Sequence, residues 1–358
     1  MKRQDVVFSG MRPTGRLHLG NYWGALKNWV GLAARYPCYF SVVDWHMLTT
    51  GYNDTSKLGE NVRGMVLDWL AAGLDPARCV IFRQSDVPEH AELALMLAMV
   101  TPLSSLENNP TWKEQLQELA KTKAGLASAG EATTYEANKP GANYELRTFG
   151  FLGYPVLQAA DILLYHGTKV PIGQDQLPHL ELSREIARKF NHAFGEVFSE
   201  PQPLLTPTPK VPGVDGRKMS KSYANAVDID ETAESLEKKV KSMYTDPARK
   251  AATDPGHPEP CPENPPGCSV YALHKLYADE SFVKTRGEVC RSGRIGCSAC
   301  KQDLLSEMSA PFDEFRRRRA AFAAEAGMVD GVLADGARKA RAVASRTMDE
   351  VRRAMRLR

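Results

Sequence analysis

This sequence contains no long apolar run and carries little net charge. Its longest purely apolar run, Leu93 to Val100, has eight residues, whereas a helix that crosses a bilayer needs about 20. The formal net charge is only +3 across 358 residues, so the overall composition carries no signature of nucleic-acid binding. The residues before the first apolar run contain no hydrophobic region of a signal peptide. We therefore expect a cytoplasmic protein with no membrane partner.

Two common catalytic patterns are missing as well. A glycine-rich turn near the N-terminus has its glycines five residues apart and lacks the G-x-G of a dinucleotide site. The sequence shows no arrangement of Ser, His and Asp that is typical of nucleophilic catalysis, and it contains no internal repeat. With 43% hydrophobic and 25% charged residues, the composition is that of an ordinary folded chain, long enough for two domains.

The first 200 residues alternate between strand-like and helical patterns. Strand-like runs occur at residues 6–9, 38–43, 79–83 and 168–172. Helical patterns lie between them, and this alternation predicts an α/β fold with a Rossmann-like, doubly wound parallel sheet. Five prolines between Pro201 and Pro212 predict a stiff linker and a domain boundary. The half that follows has the patterns of an all-α domain.

The glycine-rich turn, residues 9 to 22, follows the first strand and precedes a helical pattern. A helix N-terminus attracts anions, and glycine allows a ligand to approach the backbone closely. His18 and Asn21, on either side of Gly20, can both donate hydrogen bonds to a phosphate. Taken alone, the stretch fits a phosphate site and an ordinary strand-to-helix turn with a surface histidine equally well.

A second stretch, residues 216 to 222, carries Lys218-Met219-Ser220-Lys221-Ser222 behind a glycine. Two lysines three apart on such a loop form a mobile cationic clamp, because lysine is a point charge on a flexible stem. A lysine–serine pentapeptide alone is most often a surface loop. Together with the N-terminal His-x-Gly-Asn, however, it resembles the signature pair of the class I aminoacyl-tRNA synthetases.

Further motifs narrow this resemblance to the tryptophanyl-tRNA synthetase family. The stretches that are similar to that family are Phe8 to Ala25, Tyr154 to Leu163, Gly173-Gln174-Asp175-Gln176 with His179, and Gly336 to Arg341. The resemblance covers nearly the whole chain, and only residues 121–149 and parts of 250–300 fit it loosely.

The resemblance implies a ligase that activates L-tryptophan with ATP and Mg²⁺ to tryptophanyl-adenylate and pyrophosphate. The enzyme would then transfer tryptophan to the 3′ end of tRNA(Trp), and it would be a homodimer. Residues 1–212 would form the catalytic domain, with a flexible insertion at 121–149, and residues 213–225 the signature loop. Residues 226–330 would form an all-α tRNA anticodon-binding domain, and a C-terminal helix at 331–358 would pack back on the catalytic domain.

The same resemblance implies a set of site residues. The tryptophan site would consist of Phe8, His46, Tyr154, Gln158, Asp161 and Gln176. The ATP site would consist of Arg12, Thr14, Gly20, Asn21, Gly173, Asp175, Lys218, Met219, Ser220 and Lys221. The catalytic residues, which position the reactants and stabilise charge on phosphate oxygens, would be His18, Asn21, Lys218 and Lys221. Two positions depart from the family pattern, since many relatives carry Gln at Arg12 and an acid at Gln174.

The residues themselves support one of these assignments. Gln158 and Asp161 are three apart in an otherwise apolar helical segment and therefore share a helix face. A buried carboxylate must be paired, and an indole N–H is a donor only. Asp161 is thus a candidate acceptor for the tryptophan ring nitrogen, with a structural cap or an internal salt bridge as the alternative.

Two other functions fit the same motifs. A tyrosine hydroxyl could also donate to Asp161, so a tyrosine–tRNA ligase is one alternative. The other is a catalytically silent, synthetase-like protein that binds RNA or senses tryptophan, although both phosphate motifs are intact. A small-molecule adenylyltransferase uses a similar His-x-Gly signature but does not need a helical half of about 150 residues.

Five of the seven cysteines lie within 40 residues, which in a cytoplasmic chain favours a metal site over disulfides. Four thiolates suit either tetrahedral zinc or a [4Fe–4S] cluster. A subset of tryptophanyl-tRNA synthetases carries such a cluster on a Cys-x22-Cys-x6-Cys-x2-Cys pattern. Cys268, Cys290, Cys297 and Cys300 match it, except that the first gap is one residue shorter. The resemblance therefore implies a [4Fe–4S] cluster on these four, with structural Zn²⁺ as the alternative occupant and Cys261 as the alternative first ligand.

The basic residues are concentrated late in the chain, where Arg316 to Arg319 are consecutive arginines. Such a run is compatible with contact to RNA. A solvated helix face is the commoner cause of this pattern, and the sequence alone leaves both interpretations open.

Overall fold

The computed structural model describes residues 4–110, 112–113, 148–205 and 211–357. Apart from its last two residues, the expected insertion at 121–149 lies outside these ranges. Within them, no helix is long and apolar enough to cross a membrane.

The described residues contain one five-stranded sheet in which every neighbouring pair of strands is parallel. Its strands are β1 (Val7–Met11), β2 (Cys38–Val42), β3 (Val80–Arg83), β4 (Lys169–Ile172) and β5 (Gln202–Leu205). Their order is β3-β2-β1-β4-β5, so the predicted doubly wound α/β sheet is confirmed. The sequence missed β5, which lies inside the proline-rich stretch interpreted as a linker. An edge strand tolerates Pro203, because its missing N–H can lie on the unpaired side.

Helices connect the strands and form the second half of the chain. The first, α1, comprises Leu19–Asn21, the π-helical Tyr22–Leu26 and Lys27–Ala33. The others near the sheet are α2 (Asp44–Gly51), α3 (Leu58–Ala72), α4 (Glu89–Ala98), α5 (Leu103–Glu107), α6 (Phe149–Leu164) and α7 (Leu177–Phe194). The helical half contains α8 (Ala233–Ser242), α9 (Ser269–Tyr277), α10 (Glu280–Arg291), α11 (Cys297–Ala324) and α12 (Met328–Ala354).

The sheet opens between β1 and β4. β1 pairs with β2 over five residues, from Val7 to Met11, but it pairs with β4 only at Val7, opposite Lys169. Beyond this single pair the two strands diverge toward their carboxyl ends. The strand order also reverses here, and at such a switch point a doubly wound sheet binds its ligands.

Both halves of the chain share apolar cores. Met65 and Trp69 of α3 belong to the same buried cluster as Leu304 and Met308 of α11. On the other face of the sheet, Ala340 and its neighbours on α12 are buried in one cluster with residues of β3, α4 and α6. The helical half is therefore packed onto the sheet by side chains that water does not reach, rather than attached through a linker alone.

The arginine run lies at this contact between the halves. The Nε atom of Arg319 donates to the buried carboxylate of Asp68 at 2.6 Å, and Arg318 donates to the carbonyl oxygen of Leu70 at 3.3 Å. Arg316 donates to the carbonyl of Glu231. At least three of the four arginines thus bond within the chain, and a purely solvated face, the commoner interpretation, is wrong for them.

Candidate active site

A cavity of about 650 Å³ opens at the carboxyl ends of β1 and β4, where the sheet diverges. Its walls come from β1 and the turn after it, from β4, from the first turns of α2 and from the inner face of α6. The sequence-predicted residues that line it are Phe8, Arg12, His46, Tyr154, Gln158, Asp161, Gly173 and Gln176. All six residues expected around tryptophan are therefore brought together.

Asp161 is the best-connected polar residue of this cavity. Its side chain is 2% exposed, and each of its oxygens has partners within the protein. Oδ1 accepts from the amide of Gln84 at 2.8 Å and pairs with Nδ1 of His90 at 2.6 Å, while Oδ2 pairs with Nε2 of His46 at 2.8 Å. Burial alone would raise the pKa of Asp161, but the charge and hydrogen bonds of His90 and His46 outweigh it and lower that pKa. The carboxylate is thus held in its ionised, accepting form.

The network around Asp161 continues into the aromatic wall of the cavity. His90 reaches the hydroxyl of Tyr165 through Nε2 at 2.7 Å, and the ring of Phe8 stacks on Tyr165 with centroids 5.5 Å apart. The hydroxyl of Tyr154 lies 2.5 Å from Nε2 of His179, which joins α6 to α7. These contacts fix the rings on two sides of the cavity, so its shape is largely preformed.

The predicted phosphate turn is compact and internally bonded. The backbone N–H of His18 donates to Oδ1 of Asn21 at 3.1 Å. A Cβ on Gly20 would lie 2.8 Å from the His18 imidazole, so glycine is needed there to seat this ring. Burial, assisted by the positive charge of Lys221, lowers the pKa of His18 to about 4. The imidazole is therefore neutral near pH 7, and its Nδ1 is buried without a hydrogen-bond partner among the described residues.

The segment that follows the Lys218–Ser222 motif is joined to the glycine-rich turn through backbone hydrogen bonds. The N–H of Leu19 donates to the carbonyl of Val227 at 2.8 Å, and the N–H of Ile229 donates to the carbonyl of Leu17 at 3.0 Å. Met219 lies in the middle of the signature loop, residues 213–225, which we call the lysine loop. Its side chain is 4% exposed and lies beside Gly20. In this conformation it is a core residue, which anchors the loop on the phosphate turn.

The residues predicted to bind ATP are divided between two places. Arg12 and Gly173 line the large cavity, whereas Thr14 and Lys221 line a second cavity of about 510 Å³. The ammonium of Lys221 donates to the carbonyl oxygen of Thr14 at 3.0 Å. Lys218 is exposed and Ser220 partly buried, while Asp175 lies in the short 3-10 turn Gln174–Gln176. The two lysines are thus not directed into the cavity that holds Asp161.

The four cysteines of the expected cluster surround one small cavity of about 20 Å³. Burial raises the pKa of Cys268 to about 11, although backbone hydrogen bonds lower it in part. Burial and the neighbouring Cys268 raise the pKa of Cys300 to about 12. The guanidinium of Arg249 lies 3.8 Å from the sulfur of Cys297. Cys261 is not among the residues of this cavity and instead lies near His257 and Glu263. Four thiols that line one cavity form a donor set suited to a metal or a cluster.

The sequence did not assign roles to several residues that shape these sites. His90 and Gln84 hold Asp161, and His179 holds Tyr154. Asn225 accepts from the N–H of Ser220 at 2.8 Å and donates to the carbonyl of Lys218 at 3.2 Å, so it fixes the lysine loop. The position of Gln84 directly after a strand was a usable signal, because ligand-binding side chains follow the strands of such a sheet.

Comparison with known proteins gives one consistent family. A family model described as tRNA synthetases class I (W and Y) matches residues 1–313. The tryptophan–tRNA ligase of Aquifex aeolicus is 45% identical, covering 98% of this chain and 99% of the relative, and that of Thermotoga maritima is 46% identical with the same coverage. A crystal structure of tryptophanyl-tRNA synthetase from Campylobacter jejuni, complexed with ADP and tryptophan, has 32% identity and a TM-score of 0.79, covering 98% of this chain and 99% of that one. The chain belongs to the tryptophan–tRNA ligases, a branch of the class I tRNA synthetases for tryptophan and tyrosine.

Proposed function

We propose that the 650 Å³ cavity binds L-tryptophan and that Asp161 accepts a hydrogen bond from the indole N–H. One observation carries this assignment. An ionised carboxylate offers about four acceptor positions, and the described residues fill three of them, through His46, Gln84 and His90. The remaining position can accept a donor from inside the cavity. Because Asp161 is buried, a ligand without such a donor leaves that position unpaired, which disfavours the ligand.

The neighbouring residues suit the rest of the amino acid. Tyr154, Gln158 and Gln176 supply polar groups that would hold the ammonium group, and Phe8 and His46 supply flat walls for the indole. Tyr154 is positioned by its contact with His179. An aromatic pocket with a few placed polar groups is the usual form of a site for a small molecule.

ATP is the second substrate, and we propose that it binds beside tryptophan along the turn after β1. On its adenosine side, Gly20 would pack under the adenine, and Asp175, next to Gly173 and Gln174, would accept from the ribose hydroxyls. The phosphates would be met by residues of the turn, Arg12, Thr14, His18 and Asn21, and by residues of the lysine loop, Lys218, Met219, Ser220 and Lys221. The relative from Campylobacter jejuni, whose structure holds ADP and tryptophan, supports a site for both molecules in this fold. Since Lys221 now bonds to Thr14, its ammonium must leave that carbonyl before it can contact the triphosphate.

In the proposed reaction, a carboxylate oxygen of tryptophan attacks the α-phosphorus of ATP, and the bond to pyrophosphate breaks. The protein positions the two reactants and stabilises the negative charge on the phosphate oxygens. His18 contributes as a neutral donor, because its lowered pKa keeps it uncharged near pH 7. Mg²⁺ would neutralise the departing pyrophosphate. The terminal ribose hydroxyl of tRNA(Trp) then attacks the carbonyl carbon of the adenylate, the acyl–phosphate bond breaks, and AMP leaves.

Pyrophosphate exchange tests this assignment. We expect exchange with tryptophan to exceed exchange with tyrosine by at least a thousandfold, and the Asp161→Asn variant to lose at least a hundredfold in kcat/KM for tryptophan while its KM for ATP changes little. Asp86→Asn, which removes a carboxylate outside the cavity, is the matched control and should behave as the wild type. Faster exchange with tyrosine would establish the tyrosine alternative, and no exchange with any amino acid would establish the silent one.

We also propose that Cys268, Cys290, Cys297 and Cys300 hold a [4Fe–4S] cluster rather than zinc. Four thiolates around one zinc, each about 2.3 Å from the metal, have sulfur atoms about 3.8 Å apart. Among the described residues, no three of these sulfurs lie within 4.8 Å of one another. The wider spacing favours a larger occupant, and Arg249 and Arg286 beside the cavity would offset the negative charge of a four-thiolate cluster. When bound, the cluster would crosslink α9, α10 and α11.

Metal analysis of protein purified without oxygen tests the cluster. We expect about four iron and four sulfide per chain, with a broad absorbance band near 400 nm. Cys297→Ser should lose both, and Cys261→Ser should retain both. A colourless wild-type protein with one zinc in place of iron would overturn the proposal.

The remaining expectations concern assembly and location. We propose a cytoplasmic homodimer, with residues 1–212 as the catalytic domain, 213–225 as the lysine loop, 226–330 as the anticodon-binding domain and 331–358 as a helix that packs on the catalytic domain. Leu95 and Met99, one turn apart at the end of α4, are more than half exposed, and such apolar surface favours a contact with a second copy. Light scattering should give twice the chain mass for the wild type and for Leu205→Asp, and a smaller mass for Leu95→Asp with Met99→Asp. A wild-type monomer would refute the dimer.

A further inference from the structure

We propose that His257, Cys261 and Glu263 form a second metal site, one that binds Zn²⁺, in the loop between α8 and α9. A ring nitrogen of His257, the sulfur of Cys261 and a carboxylate oxygen of Glu263 all lie within 4.8 Å of one another. The site is separate from the cavity that the four other cysteines surround. It does not depend on what that cavity holds.

The donor set suits zinc. Imidazole nitrogen, thiolate sulfur and carboxylate oxygen are the three ligand types that Zn²⁺ takes in proteins, whereas Mg²⁺ and Ca²⁺ prefer oxygen alone. The thiol of Cys261 donates to the carboxylate of Glu263. Zinc would replace that proton and bind both atoms. Three protein ligands leave a fourth position for water, as tetrahedral zinc allows.

A buried carboxylate orients the histidine. Asp246 is 6% exposed, and its Oδ2 atom lies 2.8 Å from Nδ1 of His257 while also accepting the His257 backbone N–H at 2.6 Å. A hydrogen bond of this kind fixes the proton on Nδ1 and leaves Nε2 as the nitrogen available to a metal. Histidines that bind metals almost always have such a partner on the other ring nitrogen. This contact is independent of the spacing of the three ligands.

The loop is stiff enough to hold the ligands in place. Six of the twelve residues from 255 to 266 are proline, which restricts the backbone before any metal binds. Asn264 is fully buried and holds the loop from inside, since its amide donates to the carbonyl of His257 at 2.8 Å and its Oδ1 accepts from Tyr244 at 3.1 Å. Cys261 and Asn264 exchange two backbone hydrogen bonds of 3.1 Å. Only the three side chains need to close from up to 4.8 Å to the roughly 3.5 Å separations of a tetrahedral zinc site.

The same loop also connects two of the four clustered cysteines. The N–H of Gly256 donates to the carbonyl of Cys290 at 2.9 Å, and the N–H of Cys268 donates to the carbonyl of Pro258 at 3.0 Å. Zinc bound at His257 would therefore restrict the motion of residues 256–258, whose backbone hydrogen bonds position Cys268 and Cys290. The expected role of the second site is structural, as a brace next to the four-cysteine cavity.

Titration of the full-length protein with Co²⁺, a spectroscopic substitute for Zn²⁺, tests the site. The wild type should develop a thiolate-to-cobalt absorption band that Zn²⁺ abolishes. Cys261→Ser should lose this band, and Glu263→Gln should weaken cobalt binding at least tenfold. Glu259→Gln, which makes the same change two residues before Cys261, is the matched control and should stay within threefold of the wild type. Cys297→Ser separates the two sites, because it alters the four-cysteine cavity and should keep the Cys261-dependent band.

Alkylation supplies a second, independent readout. Zn²⁺ should slow the modification of Cys261 by iodoacetamide at least tenfold, as measured by peptide mass mapping, and a chelator should restore the original rate. The proposal is overturned if Cys261→Ser binds cobalt like the wild type, or if the band disappears in Cys297→Ser and persists in Cys261→Ser. It is equally overturned if Zn²⁺ leaves the alkylation rate of Cys261 unchanged.

Discussion

Replacing Gly336 by alanine should displace the C-terminal helix from the sheet. Gly336 lies on the buried face of α12, where the helix crosses β3, and a Cβ built on it would lie 1.7 Å from the carbonyl oxygen of Ile81. Side-chain carbons essentially never approach another atom closer than 3.0 Å, so helix and strand must separate by at least 1.3 Å. The obstructing atom belongs to the backbone of a sheet strand and cannot rotate away.

The size of the effect follows from two opposing contributions. Alanine gains about 1 kcal/mol over glycine in a helix interior. Overpacking a filled contact costs about 1–3 kcal/mol and occasionally more, and a backbone clash of this depth lies at the upper end. Part of the apolar contact of Ala337 and Ala340 is also lost when α12 moves away. We therefore expect Gly336→Ala to lower the free energy of unfolding by about 2–4 kcal/mol.

The same helix provides a matched control. Gly331 is exposed, and a Cβ on it would meet nothing within 4 Å. Gly331→Ala should therefore be neutral or stabilise the protein by up to about 1 kcal/mol. Urea unfolding followed by circular dichroism compares the two variants, and tryptophan KM gives a functional readout, because Gln84 follows β3 directly and would shift with it. Equal unfolding midpoints for the two variants would refute this account of the helix–strand contact.

Three further predictions concern the site. Gln84→Met removes a hydrogen-bond donor to the buried carboxylate of Asp161. It should raise the KM for tryptophan about ten- to hundredfold and leave the KM for ATP within about twofold, as measured by pyrophosphate exchange. Equal changes in both KM values would contradict the assignment. Arg12→Gln should keep adenylate formation within about tenfold, because the contact of its guanidinium within the described part of the chain is an exposed 3.3 Å hydrogen bond to the hydroxyl of Thr50. A loss of a hundredfold or more would make Arg12 catalytic. The imidazole of His18, followed by NMR, should titrate near pH 4 rather than 6.5, since burial and the charge of Lys221 both disfavour its protonated form; its contribution to stability is then present above pH 6.5 and is lost as the pH falls toward 4. Lys221→Met should raise this pKa only part of the way, because burial is the larger cause, and full recovery to 6.5 would show that the charge dominates.

The sheet was predictable because its information is local. Buried parallel strands are short apolar runs, and each predicted run coincides with a strand to within one or two residues. β5 escaped because proline normally argues against a strand, and only its place at the edge makes Pro203 acceptable. The edge position of β5 follows from the order of all five strands, and the sequence of residues 202–205 does not indicate it.

The site residues likewise divide into those that local sequence patterns predict and those that depend on the whole fold. Gln158 and Asp161 are three apart on one helix, and their spacing predicted a shared face, while the family resemblance added Tyr154 of the same helix. The partners of Asp161 are more than 70 positions away in sequence, at His46, Gln84 and His90, although a family resemblance did bring His46 into the expected site. Nothing in the local pattern links His90 to a carboxylate on another helix. Hydrogen-bond networks between elements depend on packing and therefore need the structure.

The contacts of the lysine loop also constrain how the loop can move to bind ATP. Removing Met219 from its buried place beside Gly20 would cost about 1.5–3 kcal/mol, whereas releasing Lys221 from the carbonyl of Thr14 costs one exposed hydrogen bond, worth about 0.5–1.5 kcal/mol. The cheaper motion keeps the loop backbone anchored and swings the lysine side chain toward the phosphates. Because Lys221 contributes to the low pKa of His18, the titration of His18 reports this motion. If ATP draws Lys221 away from His18, both the loss of that positive charge and the arrival of the phosphates raise the pKa of His18, and the rise in the wild type exceeds the rise in Lys221→Met. If Lys221 instead keeps its bond to Thr14, only the phosphate charge acts. The ATP-dependent rise is then the same in Lys221→Met and in the wild type.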